Sequence, residues 1–483
     1  MAKAKAKAMS VVTVNLKTEP WQVDVMNKRF ELCRKVYNAM LGYEIKKHGK
    51  MKRDPRWIEC QGIIEAEYAA MDDSDKKNKS YSPRLREAFE TRNLLMREYG
   101  FSEYDFTSDV KIFYKDRMDY SSSISSTMAS MSIAKPMWAA YYKIFFSSGK
   151  KKRKKKDEDE KKPMQVHFKK YGEFYSVATD GRSGIRLVND MGETIHSLPD
   201  NGKMWLLYGT TKGKVLKMPV VIDKNDVYAK EGLSNRIAVV RITRALVKGK
   251  YMYQLQCTVE GQPPIKYDKE TGEIKHPVGK GRVGIYIDTK YATVCTEDGI
   301  QVFDLSEGIP NYEAMRADIN RYMDTSRRIS NPGNYNEDGT IKKGIMENGK
   351  RVKLRWHNSN NYYKGRARRS ELYRKEAVQR HLQREILSNA LLAMGDDFVV
   401  NDYPFQVAAM RKEKEEKYPD GWNKSKKKAG KTIGQNAPAT LVSLLDQKLK
   451  ARGYEGVTKV KLKDVDYTAK AYRETYAKQM YAS

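Results

Sequence analysis

Apolar and polar positions change rhythm several times along the chain. Residues 9–18, MSVVTVNLKT, alternate closely enough to predict a strand. From Gln22 to Lys47 the step becomes three and four, with Val25, Phe30, Cys33 and Val36 among charged residues, and that spacing predicts a helix. Helical texture continues through WIECQGIIEAEYAAM and SPRLREAFETRNLLMREYG, where Gly100 suits a C-cap. Residues 120–146, YSSSISSTMASMSIAKPMWAAYYKIFF, also read as helix, although Ser is a mediocre helix former. Their hydroxyls suit either close approach to a backbone or a small-residue packing face.

From Val166 to about Lys275 short β-rich runs alternate with Gly, Asp and Asn turns, which predicts a barrel completed by the N-terminal strand, with the 22–146 helices inserted. GRVGIYIDTKYATV, residues 281–294, reads as a hairpin of two apolar strands. Helical periodicity returns at Tyr312, and a long helix is expected from roughly Gly365 to Met394. In it Val378, Leu382, Ile386 and Ala390 form an i,i+4 row, with Leu387, Leu391 and Met394 beside it. DDFVVNDYPF is a buried strand, Pro438 opens a helix with Leu441, Leu444, Leu445 and Leu449 inward, and VTKVKL is the last strand.

Charge narrows the partners. The 483 residues carry 92 Lys and Arg against 61 Asp and Glu, a formal charge of +31, so a polyanion is expected as partner. The 32 tyrosines add aromatic faces suited to bases, although ordinary packing accounts for most of them. GKKKRKKKDEDEKK, residues 149–162, is an exposed charged linker. Cys33, Cys60, Cys257 and Cys295 are too far apart for a Cys-x-x-Cys zinc site and point to a reducing compartment. The basic start MAKAKAKAMS has no apolar stretch of a secretory signal, and no run of about 18 apolar residues occurs, so the expected location is the cytoplasm, away from membranes.

The segments VNLKTEPWQ, ASMSIAKPMWAA, SGIRLVND, VGIYIDT, RRISNPGNYNEDGTIK, FVVNDYPFQ and IGQNAPATLVSLLDQKL, taken together, resemble the transposon-encoded TnpB family and the miniature type V CRISPR effectors derived from it. The resemblance spans nearly the whole chain. It implies an α+β multidomain fold: a wedge-type β-barrel with an inserted helical recognition lobe, then a C-terminally shortened RuvC (RNase H-like) α/β domain. The corresponding boundaries are 1–20 for the first barrel strand, 21–148 for the helical lobe, 149–163 for the linker, 164–278 for the barrel and 279–483 for the RuvC-like domain, with a helical insertion at 311–395.

Members of that family cut DNA with three carboxylates holding two Mg²⁺ ions, and loss of one ligand generally destroys turnover. The first belongs in a Gly-Ile-Asp pattern, which here reads Gly284-Ile285-Tyr286. A phenol of pKa about 10 is neutral and does not replace a carboxylate. The second is a Glu on a later strand, at the position of Asn401. The third lies beyond a four-cysteine zinc ribbon, whereas no cysteine follows Cys295 and little chain follows Asp466. A site shifted to Asp288 and Asp402 is disfavoured, because alternate strand residues stand about 6.6 Å apart and neighbours point to opposite faces.

The resemblance therefore implies a nuclease-dead, RNA-guided protein that needs no catalytic Mg²⁺. Its partners are a guide RNA and double-stranded target DNA, with σ factor or RNA polymerase and a homodimer on one guide RNA as further expectations. The alternatives are an endonuclease with an unrecognised site, a decayed transposon protein, or a basic structural protein of a ribonucleoprotein particle. Ser123, Ser126, Thr127 and Ser130 are candidates for contacting DNA beside the target. Arg355, Tyr362, Tyr363, Lys364, Arg366, Arg368, Arg369 and Arg374, with Lys424, Lys426, Lys427 and Lys428, are candidates for gripping RNA or the heteroduplex. Tyr362 and Tyr363 are expected on a loop before the long helix.

Overall fold

The computed structural model describes residues 8–71, 81–146, 166–210, 214–268, 270–342, 345–347, 350–352, 354–403, 405, 429–462 and 471–483. It divides into two compact units, residues 1–245 with 251–264, and residues 246–250 with 265–483. The expected linker at 149–163 lies outside the described residues.

In the first unit, β1 (Met9–Leu16) buries every second residue, ending with Val12, Val14 and Leu16. Helix α1 (Pro20–Met51) starts with Pro at its first position, and the Glu19 amide donates to Gln22 Oε1 at 2.9 Å. Its inward row is Met26, Phe30, Cys33, Val36, Met40 and Leu41, so Val25 lies beside the row and not in it. Helices α2 (Pro55–Ala70), α3 (Pro83–Glu98) and α4 (Glu103–Asp109) follow, and Gly100, at φ +66°, turns the chain after α3.

The hydroxyl-rich stretch is not one helix. It forms α5 (Met118–Ser121), α6 (Ser126–Ala129), a π-turn over Ser130–Ala134 and α7 (Lys135–Phe145). The π-turn aligns Ser132, whose Oγ accepts from Ala178 N at 2.8 Å, with the first strand of the sheet described next.

Strands β2 (Ser176–Thr179), β3 (Ile185–Val188), β4 (Trp205–Tyr208) and β5 (Leu216–Val221), then β6 (Ile237–Val247) and β7 (Lys250–Glu260) after α8 (Val227–Ser234), complete the sheet. Its order is β2-β6-β7-β1-β5-β4-β3. The edge strands come together where Thr179 Oγ1 donates to Ile185 O at 3.0 Å, so the antiparallel sheet is nearly closed. One apolar core joins α1 to the sheet through Phe30, Cys33, Tyr208, Leu255 and Cys257.

The second unit is built on β8 (Arg282–Ile287), β9 (Tyr291–Thr296), β10 (Gly299–Asp304), β13 (Asp397–Asn401) and β14 (Val457–Val460), in the order β10-β9-β8-β13-β14. The first three form an antiparallel meander, and β13 and β14 add in parallel, with Val400 beside Ile285. Helices α9 (Tyr312–Ser330) and α10 (Asn360–Leu392) stand between β10 and β13, with the small ladder β11 (Ile345–Glu347) and β12 (Lys350–Val352) in the connection. Helices α11 (Ala429–Asn436) and α12 (Pro438–Ala451) precede β14, and α13 (Tyr472–Ala482) comes after it.

Val283, Ile285 and Ile287 pack with Phe398 and Val400 against Leu387, Leu391, Leu441, Leu445 and Leu449 of α10 and α12. The opposite face is covered by α13. Of the two apolar rows on the long helix, the one that meets the sheet is Leu387 and Leu391, with Leu392, whereas Val378, Leu382 and Ile386 are 56 %, 49 % and 54 % exposed. Two adjacent apolar rows satisfy the same helical period, and only the sheet selects between them. The helix also begins at Asn360, with Ser359 Oγ accepting from Tyr362 N, so Tyr362 and Tyr363 lie on its first turn and not on a loop.

Candidate functional site

Alternation along β8 sends Gly284, Tyr286 and Asp288 to the face under α13. Tyr286 is 1 % exposed; its ring meets Tyr472 edge-on at 5.9 Å and Tyr476 at 5.7 Å. Tyr472 and Tyr476 are one turn apart on α13, and Ala477 fills the space between helix and strand. The helix backbone comes so close that a Cβ at Gly284 would stand 2.2 Å from Tyr481 N.

Asn401, at the end of β13, turns its carboxamide across to β8. Ile287 N donates to Asn401 Oδ1 at 2.7 Å, and Asn401 Nδ2 donates to Ile287 O at 3.0 Å. The side chain thus acts as one more rung of the parallel ladder. A carboxylate there accepts from Ile287 N but has no proton for Ile287 O.

Asp288 is also engaged. Its Oδ1 accepts from Lys290 N at 2.7 Å and Tyr291 N at 2.8 Å, and its Oδ2 accepts from Arg473 Nε at 2.7 Å. Arg473 lies over the rings of Tyr291 and Tyr472, each 4.8 Å away. Burial works against its charge, but the hydrogen bond and attraction of Asp288 outweigh it, and the guanidinium pKa is raised. Asp402 is exposed, with its backbone amide donating to Val460 O. The donor set on this face is one carboxylate held by a guanidinium, one amide closed on a peptide and one packed phenol. Mg²⁺ favours free oxygen ligands in a near-octahedral array, and this set does not suit it. Among the described residues no three His, Cys, Asp or Glu side chains converge on a point. Neither Arg473 nor the α13 tyrosines were identified from sequence, although Tyr472, Tyr476 and Met480 have the i,i+4 spacing of a packing row.

The basic helix α10 sorts its cations into two groups. Arg316 of α9 and Arg380 both pair with buried Glu376, and Arg374 pairs with Glu371 at 2.6 Å. Arg369 donates to Asn320 at 3.0 Å. Lys364, Arg366 and Arg368 are exposed, as is Arg355 ahead of the helix, and among the described residues no carboxylate pairs with them. Close packing of α9 on α10 is what leaves them outward: a Cβ at Gly365 would meet Met323 at 2.6 Å. Tyr362 is committed to Arg327, whose Nη2 donates to its Oη at 3.0 Å, whereas Tyr363 is half exposed. Lys424, Lys426, Lys427 and Lys428 lie outside the described residues.

In the hydroxyl-rich stretch Ser123 is buried, Ser126 is exposed, and Thr127 and Ser130 are half-buried. Ser125, which was not singled out, caps α6 through Met128 N at 3.2 Å and donates to Ser183 O at 3.1 Å. Ser125 ties the stretch to the turn before β3 and Ser132 ties it to β2, while Ser126 is exposed and Thr127 beside it is partly so.

No family model matches the chain, and no curated protein matches it. Solved structures with similarity include a Cas12f1–sgRNA–target DNA complex, at 9 % identity and TM-score 0.37, covering 98 % of this chain and 94 % of that one. A CRISPR–Cas12f ternary complex is similar at 10 % identity and TM-score 0.26, covering 95 % and 77 %. A Cas12i1 R-loop complex captured before target DNA cleavage is similar at 9 % identity and TM-score 0.25, covering 91 % and 57 %.

Proposed function

We propose that this protein is an RNA-guided, sequence-specific double-stranded DNA-binding protein that holds its target without cutting it and acts on transcription, by obstructing RNA polymerase or recruiting a σ factor. Base pairing by a guide RNA reads the target, and the protein grips the heteroduplex through its backbone. The observation that carries this reading lies within one unit. A sheet of the order β10-β9-β8-β13-β14, as in RNase H-type domains, has Tyr286 and Asn401 where the resemblance places metal-binding carboxylates, and the helix α10 between β10 and β13 exposes Lys364, Arg366 and Arg368 with no carboxylate paired to them among the described residues. A net charge of +31 further supports a polyanionic partner, because such an excess is not balanced internally.

The test is to purify the full chain, sequence the RNA that accompanies it, and offer matched and mismatched duplexes with Mg²⁺. A discrete structured RNA and matched-duplex binding without cleavage are expected. RNA-free, monodisperse protein at moderate salt overturns the guide, and Mg²⁺-dependent cleavage abolished by Asp288→Ala overturns the loss of the nuclease.

A further inference from the structure

Where α9 ends and α10 begins, two short segments are stitched into a fixed platform. Asn331 Nδ2 donates to Arg327 O at 2.9 Å and His357 O at 2.8 Å, and its Oδ1 accepts from His357 N at 2.6 Å. Asn334 Nδ2 donates to Arg355 O at 2.7 Å, and the Ser326 and Ser359 hydroxyls meet at 2.6 Å. Within this frame the Arg327 guanidinium is held between two rings, 4.5 Å from the centre of Trp356 and 4.7 Å from Tyr362. Tyr335 meets Trp356 edge-on at 5.8 Å, and Arg328 lies 5.5 Å from the Tyr335 ring.

Arg327 is unlike the paired arginines farther along the hairpin. Its Nε is buried with no acceptor, and among the described residues no carboxylate neutralises it. An arginine between two rings is a common packing device, but that role alone gives no reason for the surroundings to be so basic. Arg328, Lys342, Arg355, Lys364 and Arg366 are exposed on the segments that meet at this end, outnumbering the exposed carboxylates Asp324, Glu337 and Asp338. Apolar surface is left open beside them, with Ile329 76 % and Tyr363 52 % exposed. Uncompensated cations call for an anion, and half-open rings call for a flat apolar face. An unpaired nucleotide offers both in one unit, whereas an intact duplex hides its base faces.

We propose that this tip binds single-stranded nucleic acid, stacking an unpaired base on Trp356 and Tyr363 and holding the adjoining phosphates on Arg328, Arg355 and Lys364. Arg327 is the strut that keeps the rings in place, so the ordering cost is met before the ligand arrives. This proposal rests on the RNA-guided reading for its biological context, since a guided complex presents both unpaired RNA and a displaced DNA strand. The chemistry of the tip is independent of that context.

The experiment uses full-length protein with its bound nucleic acid removed by nuclease and high salt, and a fluorescent oligothymidylate as probe. Trp356→Ala with Tyr363→Ala is expected to weaken binding by roughly 5- to 100-fold, the loss of about one stacked base. Trp356→Phe, which keeps a ring, retains most of the affinity, and Tyr363→Ala alone, at an exposed position, weakens binding without lowering the melting temperature. Arg328→Gln should flatten the slope of log affinity against log salt by about 0.7, one phosphate contact on a single strand. Affinity for a blunt duplex should change little in the ring variants. Unchanged oligothymidylate affinity in Trp356→Ala/Tyr363→Ala, or an equal loss for the duplex, overturns the proposal. If no guide RNA accompanies the protein and single-strand binding still depends on Trp356, the guided reading falls and this site stands.

Discussion

The carboxamide of Asn401 closes on the peptide of Ile287, taking its N–H and supplying its C=O in one reciprocal pair. This relationship binds β13 to β8 beyond their last main-chain rung, and it requires a side chain that both donates and accepts. Asn401→Asp keeps the shape but leaves Ile287 O without a donor. It should lower stability by about 1–3 kcal/mol, the cost of a buried unsatisfied group, as read from urea unfolding. A midpoint equal to wild type shows that the clamp contributes nothing.

Placing carboxylates at the two positions that the resemblance points to, Tyr286 and Asn401, should not give a nuclease. In Tyr286→Asp with Asn401→Glu, the nearby Asp288 is still held by Arg473, and the face still lies under α13. No Mg²⁺-dependent nicking of a matched plasmid is expected. The same double variant should unfold earlier, because a buried ring packed on Tyr472 and Tyr476 is removed and a charge put in its place.

The exposed cations of α10 should carry nucleic-acid binding, and the paired one should not. Arg366→Gln with Arg368→Gln is expected to weaken matched-duplex binding alike for every target and to flatten its salt dependence by about 0.7–0.9 per lost phosphate contact. Arg374→Gln should leave the slope unchanged. Arg374 is occupied by Glu371, and its hydrogen bonds are the main reason that carboxyl is held down at about 2. Affinity measured across a salt series separates the two cases.

Outward hydroxyls and inward ones should separate too. Ser126→Leu with Thr127→Leu is expected to reduce DNA binding while leaving bound RNA in place, because bulk then meets the DNA flank. Ser132→Leu should instead lower the melting temperature, since Ser132 Oγ is bonded to both peptide groups of Ala178. Unchanged DNA affinity in the first variant assigns the stretch to packing alone.

A buried carboxyl in the first unit should make stability fall with rising pH. Glu44 is fully buried, and Lys47, 2.8 Å away, is shared with Asp109 at 2.6 Å. One ammonium does not compensate two carboxylates. Burial pushes the Glu44 carboxyl up to about 8, and Lys47 offsets only part of that. The folded state then binds more protons than the unfolded state between about pH 4.5 and 8, so the stabilisation is full below that window and lost on rising through it. Wild-type melting temperature should fall across the window, and Glu44→Gln should flatten the fall.

Local pattern by itself determined the elements whose neighbours in sequence already declare a buried face. The alternation of Val12, Val14 and Leu16, the row Phe30–Cys33–Val36, the apolar strands at 283–287 and 398–400, and Pro438 at the start of a leucine-lined helix were all legible. So were the charge excess and the odd residues Tyr286 and Asn401. Tertiary structure decided what depends on partners far along the chain. It chose Leu387 and Leu391 over Val378, Leu382 and Ile386, because two apolar rows on one helix are equivalent until a sheet covers one of them. It put Tyr362 and Tyr363 inside a helix, because Ser359 was free to cap it. It also paired Arg473 with Asp288 across 185 residues and Asn401 with Ile287 across 114. Periodicity records which way a side chain faces, and only the folded chain brings its partner within the roughly 3 Å at which a hydrogen bond forms.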